Sequence, residues 1–135
     1  MKVSKINDLG FDIIGRLEVI KRQIMDEMIG KEVKVTVDRP LGTLHPQFSN
    51  IYYTLNYGYI DGIIAGDGEY QDAYILGVFE PVDYFVGNVI AIIYRKNDIE
   101  NKLVVAPNGM NYSKDEIKDL VSFQEKFFDI EIIMY

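Results

Sequence analysis

The stretch VKVTVDRPLG, residues 33–42, decides the fold class of this chain. Its first five residues alternate valine with a polar residue, which predicts a strand with one buried face and one solvated face. Pro40 and Gly42 then end the strand. Four further runs rich in β-branched and aromatic residues follow, separated by Gly, Pro, Asn and Asp: 51–60, 72–79, 88–94 and 102–105. Five short strands in one small domain predict a closed or nearly closed barrel.

Two segments outside these runs have helical spacing instead. In residues 11–28, apolar side chains recur at steps of three and four, which predicts an amphipathic helix of about 18 residues. Ser113 and Glu116 form a capping box, and the apolar residues after it predict a C-terminal helix of about 15 residues. We therefore predict a mainly β (α+β) fold, with residues 1–30 as an N-terminal helical extension and residues 31–135 as the barrel domain.

Composition restricts the class of protein. The chain has 135 residues, of which 48% are hydrophobic, and this is enough for one compact domain with a buried core. It has no cysteine, which is typical of a reducing compartment. No run approaches the roughly 18 apolar residues that cross a bilayer, and no signal-peptide pattern begins the chain. We therefore expect a cytoplasmic protein.

The acidic charge is concentrated in the barrel segment. The formal net charge is −7, and the first 30 residues carry equal numbers of both signs. Between Arg39 and Arg95 there is no lysine or arginine, although six acidic residues lie there. Because a polyanion needs basic side chains at its phosphates, we expect neither nucleic acid nor an anionic membrane as a partner. The carboxylates suit hard divalent cations or, alternatively, a solvated acidic surface.

Three carboxylates lie close together in residues 67–72, with the sequence DGEYQD. Glu69 and Asp72 are three residues apart, and residues at that spacing on an extended strand point to opposite faces, so a bend through Gly68 is needed to bring Asp72 onto a shared cation. A metal site and an ordinary Asp-Gly hairpin turn are both consistent with this pattern. An EF-hand loop is excluded, because its required glycine and glutamate are missing from the sixth and twelfth positions.

Two further stretches carry side chains that are able to hold phosphate or metal. In NYGY, residues 56–59, the Tyr57 phenol either donates to a phosphate oxygen or fills the barrel core. Glu100 and Lys102 lie on one side of a strand, where they hold metal and phosphate or form a surface ion pair. His45 is the only histidine, and the sequence has neither a serine-hydrolase elbow nor a nucleotide-binding glycine loop.

Three of these stretches, in this order and at this spacing, resemble the soluble family I inorganic pyrophosphatases. They are NYGYI (56–60), GDGEYQD (66–72) and KLVVAP (102–107). The family has an Asn-Tyr-Gly-Tyr/Phe-Ile stretch, an Asp-x-Asp-Pro-x-Asp signature, and an Asp-x-Lys before a short strand that ends in Ala-Val-Pro. DRPLGT (38–43) is similar to the family's Glu-Ile-Pro-x-Gly-Ser segment, so the resemblance covers roughly residues 33–128. It implies a five-stranded OB-like barrel that hydrolyses diphosphate to two phosphates with magnesium.

The resemblance also implies a role for each charged residue in these stretches. The implied metal ligands are Asp67, Asp72, Glu100 and Asp38; the implied catalytic residues are Glu69, Asp72 and Lys102; the implied substrate-binding residues are Tyr57, Lys102 and Arg39. Among them, Asp72 would bridge two metal ions, and Glu69 would orient or deprotonate the attacking water. The implied cofactor is Mg2+, as two or more ions, with Mn2+ as the alternative.

Some positions depart from the family pattern. Glu69 and Glu100 stand where aspartate is usual, which adds about one methylene of reach to each carboxylate. The segment before NYGY is too short for the family's extra hairpin, whose lysine and arginine hold phosphate. Arg39 and His45 are the substitutes that this sequence offers.

The first hypothesis is therefore a divalent-metal-dependent inorganic diphosphatase, with diphosphate as its partner. The alternatives are a barrel of the same kind that hydrolyses another phosphate ester or anhydride, and a non-catalytic binding domain. A homo-oligomer would cover the apolar N-terminal helix and the C-terminal residues 132–135, and intramolecular packing would do so equally well.

Overall fold

The computed structural model describes residues 15–17, 19–96, 98 and 100–135. Residues 15–17 and 19–26 are helical and form α1. The remaining elements are β1 (Glu32–Arg39), β2 (Asn56–Ile64), β3 (Tyr70–Ile75), β4 (Tyr84–Arg95), β5 (Asn101–Ala106), α2 (Lys114–Glu125) and β6 (Ile130–Ile133). The part of the predicted N-terminal helix before residue 15 lies outside the described residues.

The strands form one sheet in the order β1-β2-β3-β5-β4-β6. β1 also pairs with β4, so the first five strands close into a barrel, and β6 lies outside it on β4. Among the described strands, β3 and β5 pair in parallel and the other pairs are antiparallel. The predicted mainly β fold, a closed five-stranded OB-like barrel with N- and C-terminal helices, is confirmed.

Several strand bounds differ from the prediction, including the start of β4, which lies at Tyr84 and not at Asn88, and one strand is additional. β2 begins at Asn56 and not at Ile51, because the backbone of 51–53 turns back and bonds to residues 42–45. β3 likewise ends at Ile75, four residues before the predicted end. β6 is only four residues long, too short for a periodic pattern, and its pairing with the end of β4 decides its structure.

Two apolar layers stabilise the barrel, because alternate side chains on a strand point to opposite faces. One layer fills the barrel interior and consists of Val35, Ile60, Ala73, Ile75, Val89, Ile92, Leu103 and Val105. The other covers the outer face beneath α2, where Ile117 and Val121 are fully buried. The outer layer matters for function, since the polar residues of the candidate site lie at its edge.

β1 and β2 approach each other closely at Gly58. A Cβ at this position would lie 1.9 Å from the carbonyl oxygen of Thr36, so only glycine fits. The close contact lies beside Tyr57, the preceding residue, which pairs with Arg39 across a bulge between Val37 and Arg39.

α2 begins where the sequence predicts. The Ser113 hydroxyl accepts from the Glu116 amide at 3.1 Å, and the Glu116 carboxylate accepts from the Ser113 amide at 3.0 Å. None of the helices in the described part of the chain is long and apolar enough to cross a bilayer.

Candidate active site

Three of the predicted site residues lie on the outer side of the barrel wall, near α2. Tyr57 is on β2, Asp72 on β3 and Lys102 on β5, and these three strands are neighbours in the sheet. Ala73 and Leu103 are direct partners in the parallel ladder, so the residues before them leave the same face side by side. Strand register therefore brings Asp72 and Lys102 together across 30 residues of sequence.

Lys102 is the centre of a group of four side chains that we name the Lys102 cluster: Tyr57, Asp72, Glu100 and Lys102. Lys102 Nζ donates to Asp72 Oδ2 at 2.7 Å and to Glu100 Oε2 at 2.8 Å. Only 3% of the lysine side chain is exposed, against 35% for Asp72 and 32% for Glu100. A buried ammonium thus lies beneath two carboxylates that face solvent.

Tyr57 completes the cluster by donating to Asp72 Oδ2 at 2.9 Å. Its burial and the nearby Asp72 carboxylate raise the pKa of Tyr57 well above its usual value. The phenol therefore keeps its proton over the physiological range and remains a hydrogen-bond donor. The Tyr57 ring is buried in the outer apolar layer rather than in the barrel interior, and its hydroxyl reaches Asp72; donation to a phosphate oxygen stays a prediction.

A second set of ion pairs, which the sequence analysis does not predict, continues from Glu100 into the protein. Arg95 Nη1 donates to Glu100 Oε2 at 3.2 Å, and the guanidinium binds both oxygens of Glu125 at 2.9 and 2.7 Å. Glu125, on α2, also accepts from the Tyr74 hydroxyl. The exposed fractions of the Arg95 and Glu125 side chains are 6% and 1%. This network ties α2 to the Lys102 cluster.

Two features of the sequence indicate that Arg95 and Glu125 are unusual, but neither feature shows that they pair with each other. Arg95 is the first lysine or arginine after Arg39, and Glu125 lies four residues after Val121 on the apolar face of α2. A glutamate on a buried helix face requires a compensating partner. Only the packing of α2 against β4 shows that the partner is Arg95.

Arg39, a predicted substrate-binding residue, lies near the same tyrosine as Lys102. Its guanidinium carbon is 5.3 Å from the centroid of the Tyr57 ring and 5.6 Å from that of Tyr53. Lys102 Nζ is 5.6 Å from the Tyr57 centroid, so the two cations lie within about 11 Å of each other. Arg39 Nη1 also donates to the Tyr53 hydroxyl at 2.6 Å, and Tyr53 in turn donates to Gln124 on α2.

Asp38, a predicted metal ligand, precedes Arg39 on β1. Desolvation raises the pKa of Asp38 above its ordinary value; Arg39 opposes this increase and the Asp72 carboxylate adds to it. The charges of Asp38 and Asp72 therefore repel each other. A bound cation would relieve that repulsion.

Asp67 and Glu69 lie at the tip of the β2–β3 hairpin, outside the Lys102 cluster. Gly68 has φ of +85°, the left-handed conformation that the predicted bend requires. Asp67 Oδ1 accepts from the Glu69 amide at 3.0 Å, and both side chains are exposed. The structure thus has the Asp-Gly hairpin turn, and the metal and base roles of these two residues stay predictions.

A divalent cation requires several oxygen ligands that converge on one point. Among residues 15–17, 19–96, 98 and 100–135, no three metal-ligating side chains converge, so the predicted set of four is not assembled as a closed cage. Asp72 and Glu100, however, already share one cation, the Lys102 ammonium. Mg2+ at phosphate sites is usually held by one or two carboxylates together with water and the phosphate itself. Asp72 and Glu100 therefore fit a magnesium–phosphate complex.

A groove of about 830 Å3 opens beside the site, between α1 and the ends of β4 and β6. Arg95, Asp98 and residues 64–66 line the part nearest the site. On the other side, Arg22 of α1 pairs with Glu131 of β6 at 2.8 Å. No member of the Lys102 cluster lines the groove, so it adjoins the candidate site without containing it.

Comparison with known proteins finds solved structures of similar fold. No family model matches the chain, and no curated protein matches it at a significant level. A solved inorganic pyrophosphatase from Ehrlichia chaffeensis superposes with a TM-score of 0.61 at 16% identity, over 78% of this chain and 87% of that one. An inorganic pyrophosphatase from Coxiella burnetii gives 0.57 at 13%, over 78% and 86%. An inorganic phosphatase from Anaplasma phagocytophilum gives 0.53 at 20%, over 77% and 83%. At these identities the likeness concerns the backbone, and the chain has a pyrophosphatase-like fold.

Proposed function

We propose that this protein hydrolyses inorganic diphosphate, taken up as its magnesium complex, to two phosphates. The observation that carries the proposal is the Lys102 cluster, in which a buried ammonium is held by two solvent-facing carboxylates beside a protonated phenol. One face of the barrel thus carries both the oxygen ligands that Mg2+ prefers and the donors that phosphate requires. The fold that this chain shares with solved pyrophosphatases agrees with this chemistry.

Charge explains why metal and substrate bind together. Diphosphate carries several negative charges, and the protein itself has a net charge of −7. Lys102 is already compensated by two carboxylates, so it offers little net attraction to a free anion. A magnesium complex of diphosphate would remove this repulsion, because it would bring a cation for the carboxylates to bind.

Different side chains of the site would bind the metal ion and the two phosphates. Asp72 and Glu100 would hold Mg2+ with their exposed carboxylate oxygens. Lys102, whose charge the two carboxylates would then compensate less, would offer its N–H donors to a phosphate oxygen. Tyr57 keeps its one proton and would turn it from Asp72 to the same phosphate, while the planar guanidinium of Arg39 is suited to the other phosphate.

Hydrolysis then needs an activated water and a stabilised leaving group. Bound magnesium supplies charge neutralisation and lowers the pKa of water. Glu69 is the proposed general base, because its exposed carboxylate makes no hydrogen bond to another described residue and stays available to a water. Lys102 and Arg39 stabilise the charge that develops on the departing phosphate.

Phosphate release from diphosphate, measured with Mg2+, with Mn2+ and with a chelator, tests the proposal. We expect release that requires the metal and that falls at least about 100-fold in Asp72→Asn, which removes a charge but little volume. Asp119→Asn alters an exposed carboxylate on α2 and should retain full activity. A pure, folded protein that releases no phosphate with either metal contradicts the proposal. A panel of phosphate esters and anhydrides then separates the two alternatives, another substrate or a binding domain.

A further inference from the structure

His45 is the only histidine of the chain and is not part of the Lys102 cluster. Its Nδ1 accepts hydrogen bonds from the backbone amides of Gln47 at 3.0 Å and Phe48 at 3.2 Å. An imidazole nitrogen that accepts a hydrogen bond carries no proton, so the proton of the neutral ring is on Nε2. The loop therefore presents His45 as an Nε2–H donor.

The surroundings of the ring keep it neutral. Partial burial lowers the pKa of His45, and the positive charge of Arg39 lowers it further. Protonation would also place a proton on Nδ1 and break both bonds to the backbone. His45 is thus a neutral donor at pH 7, and its Nε2 makes no hydrogen bond to another described residue.

Tyr53 joins His45 to Arg39. The His45 and Tyr53 rings stack with 6.2 Å between centroids and 20° between planes. Arg39 Nη1 donates to the Tyr53 hydroxyl, while Nε and Nη2 have no hydrogen-bond partner among the described residues. Tyr53 is fully buried and donates to Gln124 of α2. One rigid, buried side chain therefore positions two sets of unused donors, one charged and one neutral.

We propose that Arg39 and His45 together bind the phosphoryl group of diphosphate that lies farther from Lys102, and that this second anion subsite selects diphosphate over phosphate. The inference rests on the proposed function. The guanidinium fork contacts two oxygens of one phosphoryl group, and the Nε2–H adds a directional donor to the same group. Since Arg39 and Lys102 both lie near the Tyr57 ring, diphosphate contacts both subsites at once, whereas a single phosphate occupies one at a time.

Nitrogen NMR of the single histidine tests this subsite without any catalysis. In protein labelled with 15N at histidine, the two ring nitrogens give one resonance each, and we expect a protonated Nε2 and an unprotonated Nδ1. Methylenediphosphonate with Mg2+ is the probe, because it has the shape of diphosphate and is not hydrolysed. We expect the probe to shift the Nε2–H resonance and leave Nδ1 in place. Inorganic phosphate at equal concentration should shift Nε2–H less.

Two substitutions separate a ligand contact from support of the loop. His45→Asn keeps an acceptor for the amides two and three residues on, because asparagine side chains bond to the backbone at this spacing, but it lacks the Nε2–H. His45→Ala removes both functions. We expect the Kd for methylenediphosphonate, measured by calorimetry with Mg2+, to rise about tenfold or more in both variants, as for a lost hydrogen bond to a charged group.

The outcomes distinguish a direct contact between His45 and the ligand from support of the loop by His45. Normal affinity in His45→Asn with a loss only in His45→Ala means that the ring supports the loop, and the inference is overturned. An Nε2–H resonance that the probe does not move also overturns it, even in a protein that hydrolyses diphosphate. A shifted Nε2–H in a protein that does not hydrolyse diphosphate supports the subsite and refutes the proposed function alone.

Discussion

Replacing Arg95 by methionine should destabilise the protein by about 3–5 kcal/mol, the usual cost of breaking a buried ion pair. Arg95 and Glu125 are 6% and 1% exposed and share hydrogen bonds of 2.9 and 2.7 Å. Methionine fills much of the space, but it leaves the Glu125 carboxylate buried with the Tyr74 hydroxyl as its donor. The cost therefore comes from an uncompensated buried charge more than from lost contacts.

A double-mutant cycle measures the interaction free energy between Arg95 and Glu125. Glu125→Leu should cost less than Arg95→Met, because Arg95 still pairs with Glu100 at 3.2 Å. The double variant removes both charges and replaces them with apolar groups of similar size, which is often nearly neutral. It leaves the Tyr74 hydroxyl with the Gln124 amide as its one partner, at a cost of about 1 kcal/mol. We therefore expect the double variant to be more stable than Arg95→Met.

Urea unfolding followed by far-ultraviolet circular dichroism gives the four free energies. Lys96→Met is the matched control, because it removes the neighbouring cation from a pair with Asp129 that is 3.8 Å long and 52% and 64% exposed. Such a pair should contribute no more than about 0.5 kcal/mol. A loss below about 1 kcal/mol in Arg95→Met would refute the reasoning, as would single-variant losses that simply add in the double variant.

Three further predictions follow from local geometry. Gly58→Ala should cost about 1–3 kcal/mol or more in urea unfolding, because the new Cβ meets the Thr36 carbonyl oxygen; an unchanged midpoint would contradict the close approach of β1 and β2. Ser113→Ala should cost about 1 kcal/mol, because the Glu116 amide loses its acceptor, and a negligible loss would show that the cap does not stabilise α2. The pKa of His45, from its NMR titration, should lie below the ordinary 6.5. With a lower pKa in the folded protein, the unfolded chain binds more protons near pH 6.5, so the free energy of unfolding should fall as the pH drops below about 6.5. His45→Asn should reduce that fall. A measured pKa above 6.5 would exclude the neutral donor.

The fold is largely readable from the sequence, because its determinants are local. The alternation of Val33, Val35 and Val37 and the capping box at Ser113 act within a few residues, and β1 and α2 form where these patterns lie. The start of β2 is different. Residues 51–53 have the composition of a strand, yet their backbone bonds to the loop after β1. No pattern within residues 51–60 predicts that pairing.

The candidate site likewise has some features that the sequence determines and others that depend on the tertiary structure. The sequence by itself determined which residue types are available, a cluster of carboxylates in a chain of net charge −7 with Lys102 among them. Only the tertiary structure decided their partners: strand register sets Lys102 between Asp72 and Glu100, and the packing of α2 brings Glu125 to Arg95. The physical reason is that residue type and periodicity are properties of neighbours along the chain, whereas a buried charge is stabilised by whatever the fold places within about 3 Å of it.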